Sequence, residues 1–261
     1  MNNKHSNIPI IILAGGKGER FRSKDNLPKQ LTKVSDNPII IEIIKHYFRS
    51  GFNYFILPLG YKNKYFIEFF NNKINLKRYN LNILKKKSIH LINDKINIRI
   101  FNAGLDTNKL TRIKYSVKFL KKNNSIFGVA YGDVYANINF EKAISKLKKN
   151  SLKCILTSYK EFSPFGHLFI KNNKVIKFIE KPRLEIPINI GFYFFKKEIF
   201  NKLYFKKNYD LETGLLNKLI KKKYLGYYMH NGFHFTVNNQ KDLINIKKLY
   251  KKNKTLFNKS S

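Results

Sequence analysis

Residues 10–21 read IIILAGGKGERF, an apolar run that breaks directly into three glycines, a lysine and an arginine. A buried strand that ends in a Gly-rich turn leaves bare backbone N–H groups where a phosphate can touch them. Lys17 and Arg20 place two cations on that turn. At the carboxyl edge of a parallel sheet, such a turn is a polyphosphate cradle. Spacing excludes two common versions. A Walker loop needs Gly, four residues, then Gly-Lys-Ser/Thr. Here Gly16-Lys17 is followed by Gly18, and the position five before Gly16 is Ile11. The dinucleotide pattern G-x-G-x-x-G fails because it would end on Phe21.

The chain has 261 residues, 43% of them hydrophobic, enough for a sizeable core in one large α/β unit. No apolar run reaches membrane-spanning length. Residues 1–8 are polar and short, without the apolar stretch of a secretory signal. The one cysteine, Cys154, excludes a disulfide framework and a Cys-based zinc site; its apolar surroundings predict a core position. A reducing cytoplasm is the expected compartment. The formal net charge is +36, which by itself suggests nucleic acid. The lysines, however, are scattered over nearly every surface segment. They accompany abundant Ile, Asn, Phe and Tyr with no Trp, the residues of AT-rich codons. No nucleic-acid fold signature and no aromatic–basic repeat is present, so no specific nucleic-acid partner is expected. The positive field would still draw in a polyanionic nucleotide.

Strand and helix patterns alternate, predicting a Rossmann-like, doubly wound α/β fold with a mostly parallel sheet and helices on both faces. Strands are expected at 10–13, 54–58, 98–102 and 125–131, and helices at 38–49, 63–71, 112–120 and 140–149. Residues 72–96, rich in Lys and Asn, read as an irregular insertion. Further on, 167–170 and 174–179 predict a hairpin around Asn172-Asn173. A strand at 190–195, a helix at 211–222 capped by Asp210, strands at 225–229 and 233–237 and a helix at 240–251 complete the pattern. The whole of 1–261 is expected to be a single unit, with a nucleotide-binding half at about 8–135, a second half at about 136–250 and a frayed basic tail at 252–261.

The segment L-A-G-G-x-G-x-R-F, followed by Pro28-Lys29-Gln30-Leu31, resembles the N-terminal signature of the sugar-1-phosphate nucleotidyltransferases. The resemblance continues through Tyr131-Gly132-Asp133 after an apolar strand, Phe165-Gly166-His167, Phe178-Ile179-Glu180-Lys181-Pro182 and Asn189-Ile190-Gly191-Phe192. Leu59-Gly60-Tyr61-Lys62, Asp210-x-Glu212 and Asn231-Gly232-Phe233 are similar to the glucose-1-phosphate cytidylyltransferase branch. Together the matches span about 10–249.

The resemblance implies the following roles. Leu13, Ala14, Gly15, Gly16, Gly18 and Arg112 would bind the nucleotide. Arg20 and Lys29 would balance the triphosphate and the leaving pyrophosphate as the catalytic cations. Gly166, Glu180, Lys181, Asn189 and Gly191 would bind the sugar phosphate. Asp133 would be a ligand of Mg²⁺, which favours one or two carboxylates and substrate phosphates. The implied reaction joins a nucleoside triphosphate, CTP first, to a sugar-1-phosphate, glucose-1-phosphate first. Another base or sugar, or a regulator without turnover, are the alternatives. A homo-oligomer is compatible with all of them.

Two departures stand out. The branch has Thr-Gly-Gly-Arg beside the base, whereas this chain reads Asn108-Lys109-Leu110-Thr111-Arg112. The arginine is kept and the glycines are not. Where many relatives carry a second metal-binding aspartate, this chain has Asn238, whose amide oxygen can meet a cation but brings no charge. The histidines, at 5, 46, 90, 167, 230 and 234, lack metal-ligand spacing with a nearby acid and are expected to be structural or on the surface.

Overall fold

A computed structural model describes residues 4–16, 21, 27–85, 90–92, 95–149, 151–202 and 209–252. The strands are β1 (Ile10–Leu13), β2 (Tyr54–Leu59), β3 (Asn82–Lys85), β4 (His90–Ile92), β5 (Asn97–Asn102), β6 (Ile126–Tyr131), β7 (Val134–Ala136), β8 (Cys154–Tyr159), β9 (His167–Lys171), β10 (Lys174–Ile179), β11 (Ile188–Lys196), β12 (Leu225–His230) and β13 (His234–Thr236). The helices are α1 (Ile39–Arg49), α2 (Asn63–Asn71), α3 (Lys73–Tyr79), α4 (Lys109–Val117), α5 (Phe140–Lys149), α6 (Ile199–Lys202), α7 (Asn217–Lys221) and α8 (Gln240–Lys252).

Nine strands form one sheet in the order β12-β8-β11-β6-β1-β2-β5-β4-β3. Its centre, β6-β1-β2-β5, is parallel throughout. Only β11 and β4 run against the other strands of this sheet. The expected mostly parallel, doubly wound sheet is therefore present. Because side chains alternate across a strand, β1 feeds two cores. Ile10 and Ile12 pack on the face covered by α1, α2, α5 and α8. Ile11 and Leu13 pack on the other, with Leu110 and Ile113 of α4 and the leucines of 211–219.

Local chemistry explains the element ends. Asn37 Nδ2 and Ser35 Oγ both donate to Glu42 Oε1 at 2.7 Å, tying the chain before α1 to its first turn. Gly51 ends α1 at φ 91°, the left-handed stop that glycine accepts without strain. Asn172 and Asn173 adopt φ 49° and 60° and turn β9 into β10, as the dipeptide predicts. This hairpin extends from between β8 and β11 as an arm. Leu168, Ile170, Val175 and Phe178 are exposed along it. Cys154 is buried, as expected.

Three expectations need correction. Residues 72–96 are not an irregular insertion. They hold α3, capped by Asn72, and the antiparallel strands β3 and β4 at one end of the sheet. Helix α4 begins at Lys109, three residues early, because the Asn108 side chain accepts from Thr111 N at 2.9 Å. The helix at 211–222 opens as a π-helical turn, Leu211–Leu216, and the Asp210 side chain makes no capping bond to it. The expected frayed tail lies outside the described residues, except Lys252, which ends α8. No helix among the described residues is long and apolar enough to cross a membrane.

His46 of α1 is buried against Tyr135 and Phe140, with ring centroids 4.7 and 5.7 Å away. Its Nδ1 lies 3.2 Å from the Tyr135 hydroxyl. Burial pushes its pKa down to about 4, with Arg49 adding to the effect. For half-buried His234, loss of solvent likewise lowers the pKa to about 4. The unfolded chain takes up protons that the fold refuses, so stability falls as the pH drops from about 6.5 toward about 4. Denaturation midpoints taken at several pH values should show this fall, and His46→Gln should flatten it while costing stability at neutral pH. An unchanged slope in the variant would contradict the assignment.

Candidate active site

Strand β1 delivers Leu13 to the carboxyl edge of the sheet, where it pairs with Tyr131 of β6. The chain then leaves the sheet through Ala14, Gly15 and Gly16. Gly15 sits at φ 120°, and a Cβ there would come within 2.3 Å of Gly60 N. The backbone of Leu59 and Gly60 crosses at that point, and Tyr61 N donates to Gly15 O at 2.9 Å. Gly15 is thus required by another piece of backbone. Gly16 is exposed, and a Cβ there would meet nothing within 4 Å, so the open face of the loop lies at Gly16. Gly18 and Arg20 lie outside the described residues.

Behind the crossing sits Arg112. A Cβ on Gly60 would lie 2.3 Å from Arg112 Nη2. The guanidinium is largely buried, donates from Nε to Thr107 Oγ1 at 3.1 Å, and has its pKa lowered by burial. Arg112 therefore supports the loop from behind. Leu110, at one of the lost glycine positions, points into the core with Ile11 and Leu13. It anchors α4 and does not narrow an open pocket.

The Pro-Lys-Gln-Leu segment docks against the Tyr-Gly-Asp turn. Lys29 starts a short 3-10 turn, Lys29–Leu31, and its Nζ lies 2.6 Å from Asp133 Oδ2. The two side chains are 11% and 24% exposed, so the pair is sheltered yet reachable from solvent. Buried Gln30 lies under Gly132, where a Cβ would meet Leu13 O at 2.9 Å and Gln30 Cγ at 3.3 Å. The ribbon of β7 and β13 returns the C-terminal segment to this point. Val237 N donates to Asp133 O at 3.1 Å, which puts Asn238 next along the chain. Asn238 N and Asn239 N both donate to Asp242 Oδ2, at 2.7 and 3.2 Å, and Asn239 Oδ1 accepts from Asp242 N at 3.0 Å. The start of α8 is thus capped by Asn239 and Asp242. No group of three His, Cys, Asp or Glu that could cage a metal occurs among the described residues. One carboxylate, satisfied by an ammonium at 2.6 Å, suits a cation carried mainly by phosphates.

On the far side of Tyr131 lie Asn189 and Gly191. Gly191, at φ 77°, would place a Cβ 2.4 Å from Tyr131 Cδ2. Asn189 Oδ1 accepts from Gly191 N at 3.0 Å, and its Nδ2 donates to Tyr193 OH at 2.5 Å. Gly166, Glu180 and Lys181 occupy the arm. A Cβ on Gly166 would meet Phe178 and Glu180 Oε2. Glu180 and Lys181 are about equally exposed, at 60% and 63%, and 3.6 Å apart. The structure therefore joins Gly15, Arg112, Lys29, Asp133, Asn189 and Gly191 around the tip of β6, and holds Glu180 and Lys181 on the arm.

Sequence reasoning missed the side chains that connect these parts. Lys109, Tyr131 and Glu212 converge, with Lys109 Nζ and Tyr131 OH both donating to Glu212 Oε1. Lys109 and Glu212 are 103 positions apart, so no spacing could have paired them. The one available signal was the Asp210-x-Glu212 match, which carried no role.

The nucleotidyl transferase family model matches residues 10–257. The chain is 29% identical over 250 residues to the Bacillus subtilis (strain 168) protein called a probable glucose-1-phosphate cytidylyltransferase, covering 93% of this chain and 96% of that one. It is 28% identical over 248 residues to the D-glycero-alpha-D-manno-heptose 1-phosphate guanylyltransferase of Campylobacter jejuni, covering 89% and 100%. Its fold is similar to the crystal structure of HddC from Yersinia pseudotuberculosis, with TM-score 0.64 at 22% identity and coverage of 93% and 99%. The chain belongs to the nucleotidyl transferase family, as a sugar-1-phosphate nucleotidyltransferase.

Proposed function

We propose that this chain transfers a nucleotidyl group from a nucleoside triphosphate to a sugar-1-phosphate, with CTP and glucose-1-phosphate as its preferred pair. The observation that carries the reading is the docking of Lys29 onto Asp133 beside the open face of the Gly15-Gly16 loop. A phosphate oxygen of the sugar phosphate attacks the α-phosphorus in line. The bond from the α-phosphorus to its bridging oxygen breaks, and pyrophosphate leaves. No protein nucleophile is needed, because the attacking phosphate is already anionic. Catalysis is then positioning and charge neutralisation. The Gly16 side of the loop receives the triphosphate, with Lys29 and Arg20 balancing its charge. Asp133, with Asn238 beside it, would hold Mg²⁺, which when bound neutralises phosphate oxygens. Asn189 and Gly191 flank the sugar side, and Glu180 and Lys181 reach it from the arm.

The experiment is a panel. CTP, UTP, dTTP, ATP and GTP are mixed with glucose-, mannose- and heptose-1-phosphates, and pyrophosphate release is followed. CTP with glucose-1-phosphate should lead by a modest margin. A preference of tenfold or more for another base, about 1.4 kcal/mol in transition-state binding, would overturn the cytidylyl assignment and leave the reaction standing.

Removing a cation should tell more directly on the chemistry. Lys29→Ala and Arg20→Ala should each lower kcat by about a hundredfold or more, the usual cost of one lost donor on a developing polyanion. Circular dichroism should show both variants folded. Turnover near wild type in either would refute the role given to that residue.

The metal side is tested by adding charge. Asn238→Asp should lower the Mg²⁺ concentration that gives half-maximal rate and leave the sugar-phosphate KM nearly unchanged. Superimposable Mg²⁺ titrations would remove Asn238 from the cation's surroundings.

A further inference from the structure

A run of hydrogen-bonded side chains starts at helix α4 and ends on the sugar side of the site. Lys109 Nζ and the Tyr131 hydroxyl both donate to Glu212 Oε1. The Tyr131 and Tyr193 hydroxyls are 3.1 Å apart. Asn189 Nδ2 lies 2.5 Å from the Tyr193 hydroxyl, and Asn189 Oδ1 accepts from Gly191 N at 3.0 Å. The members belong to α4, the π-helical turn Leu211–Leu216, β6 and β11. The backbone does not hold the last of these segments by itself. Pairing of β11 with β6 runs from Phe192↔Ala130 to Lys196↔Ile126 and stops before Gly191. Pairing with β8 shifts register between Asn189 and Tyr193. Such an interruption re-aims side chains and leaves their placement to local contacts. Here the contacts are the Tyr131 ring, which fills the space over Gly191, and the hydrogen-bond chain.

Counting protons gives the chain a direction. Beside an ammonium, Glu212 is ionised and can only accept. Tyr131 has a single hydroxyl proton and gives it to Glu212. The Tyr131 oxygen therefore accepts, from Tyr193 and from Lys109 Nζ at 3.3 Å. Tyr193 spends its own proton on Tyr131, so the group that meets it from Asn189 is the NH₂. The same orientation turns Asn189 Oδ1 toward Gly191 N. A carboxamide has two donor hydrogens and two acceptor lone pairs. Asn189 is exposed, and one hydrogen and one lone pair of its amide have no partner among the described residues. They can meet a ligand hydroxyl or phosphate.

We propose that Lys109 and Glu212 are positioning residues that act through Tyr131 and Tyr193 to fix which face of the Asn189 amide meets the sugar phosphate. Glu212 is the fixed acceptor that orders every proton in the chain. A glutamine in its place donates as well as accepts. The Tyr131 proton would then be free to turn to Tyr193, and the Tyr193 proton to Asn189. The amide would have to flip, setting its NH₂ against Gly191 N and exchanging donor for acceptor on the open side. Lys109 holds the carboxylate in place. The two side chains are 40% and 31% exposed, so as an ion pair they contribute little to stability. Their loss should show in substrate binding and not in folding.

The sugar-side role rests on the proposed transfer reaction, so one readout avoids turnover. In nitrogen-15-labelled protein, the Asn189 side-chain amide resonances are assigned by their loss in Asn189→Asp. Glu212→Gln and Tyr131→Phe should each shift them. The second variant keeps the ring over Gly191 and removes only the middle hydroxyl. Amide resonances unmoved in both variants would overturn the proposal, whatever the reaction. In turnover, both variants should raise the sugar-phosphate KM about tenfold and leave the nucleotide KM unchanged. The double variant should be no worse than either single one, because the two substitutions break the same chain. Lys109→Met should raise the same KM, and Lys109→Arg, which keeps a cationic donor, should recover most of it. Melting temperatures should stay close to wild type. Equal rises in both KM values, or a lowered melting temperature with no change in the sugar-phosphate KM, would show a merely structural role and overturn the proposal. Should Tyr131→Phe fail to fold, Glu212→Gln and Lys109→Met decide by the same criteria. Should no substrate pair turn over in the wild type, the reaction reading fails and the amide resonances alone judge the chain.

Discussion

The site depends on one constraint: β1 is only four residues long and is paired in parallel on both sides, with β2 and β6. Its residues are buried on both faces, so the chain can leave only through the edge at Leu13. Backbone from β2 crosses there within contact of Gly15, and the tip of β6 bonds back through Gly132 N to Leu13 O at 3.0 Å. The glycines are spent on this close approach of three chain segments. What remains open is the face at Gly16. The position of every other polar group follows from that crossing. Arg112 braces it from behind, and the Pro28–Leu31 turn closes it from beside β6.

Charge sets the second level of order. In a chain with so few acids, each one at the site has a dedicated cation or donor. Asp133 faces Lys29. Glu212 faces Lys109 and Tyr131. The exposed pair Glu180–Lys181 differs, since water screens it and leaves both groups free to reorient. Firm placement around β6 and looser placement on the arm suit a site that holds a nucleotide in fixed geometry and lets a sugar phosphate enter from one side.

Much of this was legible in the sequence, for physical reasons. The apolar run at 10–13 must be buried, Asn172-Asn173 favours a tight hairpin, and Gly51 marks a helix end, because in each case local residues dictate the backbone. Elements whose partners are remote were not legible. Strands β3 and β4 are only four and three residues long at one end of the sheet, and only their pairing defines them. The π-helical turn after Asp210 has the same leucine spacing as an ordinary helix. Gly15 reads as a ligand contact in the sequence because sequence shows that a Cβ is missing and not what occupies its place. Leu110 stands where the related branch has a glycine beside the base, and only the two-sided core around β1 shows that it is an anchor.

The central claim is bond cleavage at the α-phosphorus with transfer to a sugar phosphate, and phosphorus-31 NMR of the wild-type reaction tests it most directly. With CTP, glucose-1-phosphate and Mg²⁺, the account predicts a new pair of diphosphate resonances from the nucleotide sugar, rising in step with free pyrophosphate. Inorganic phosphate rising with a nucleoside diphosphate would mean cleavage at the γ-phosphorus. That outcome, or substrate resonances unchanged across all bases and sugars, would contradict the account.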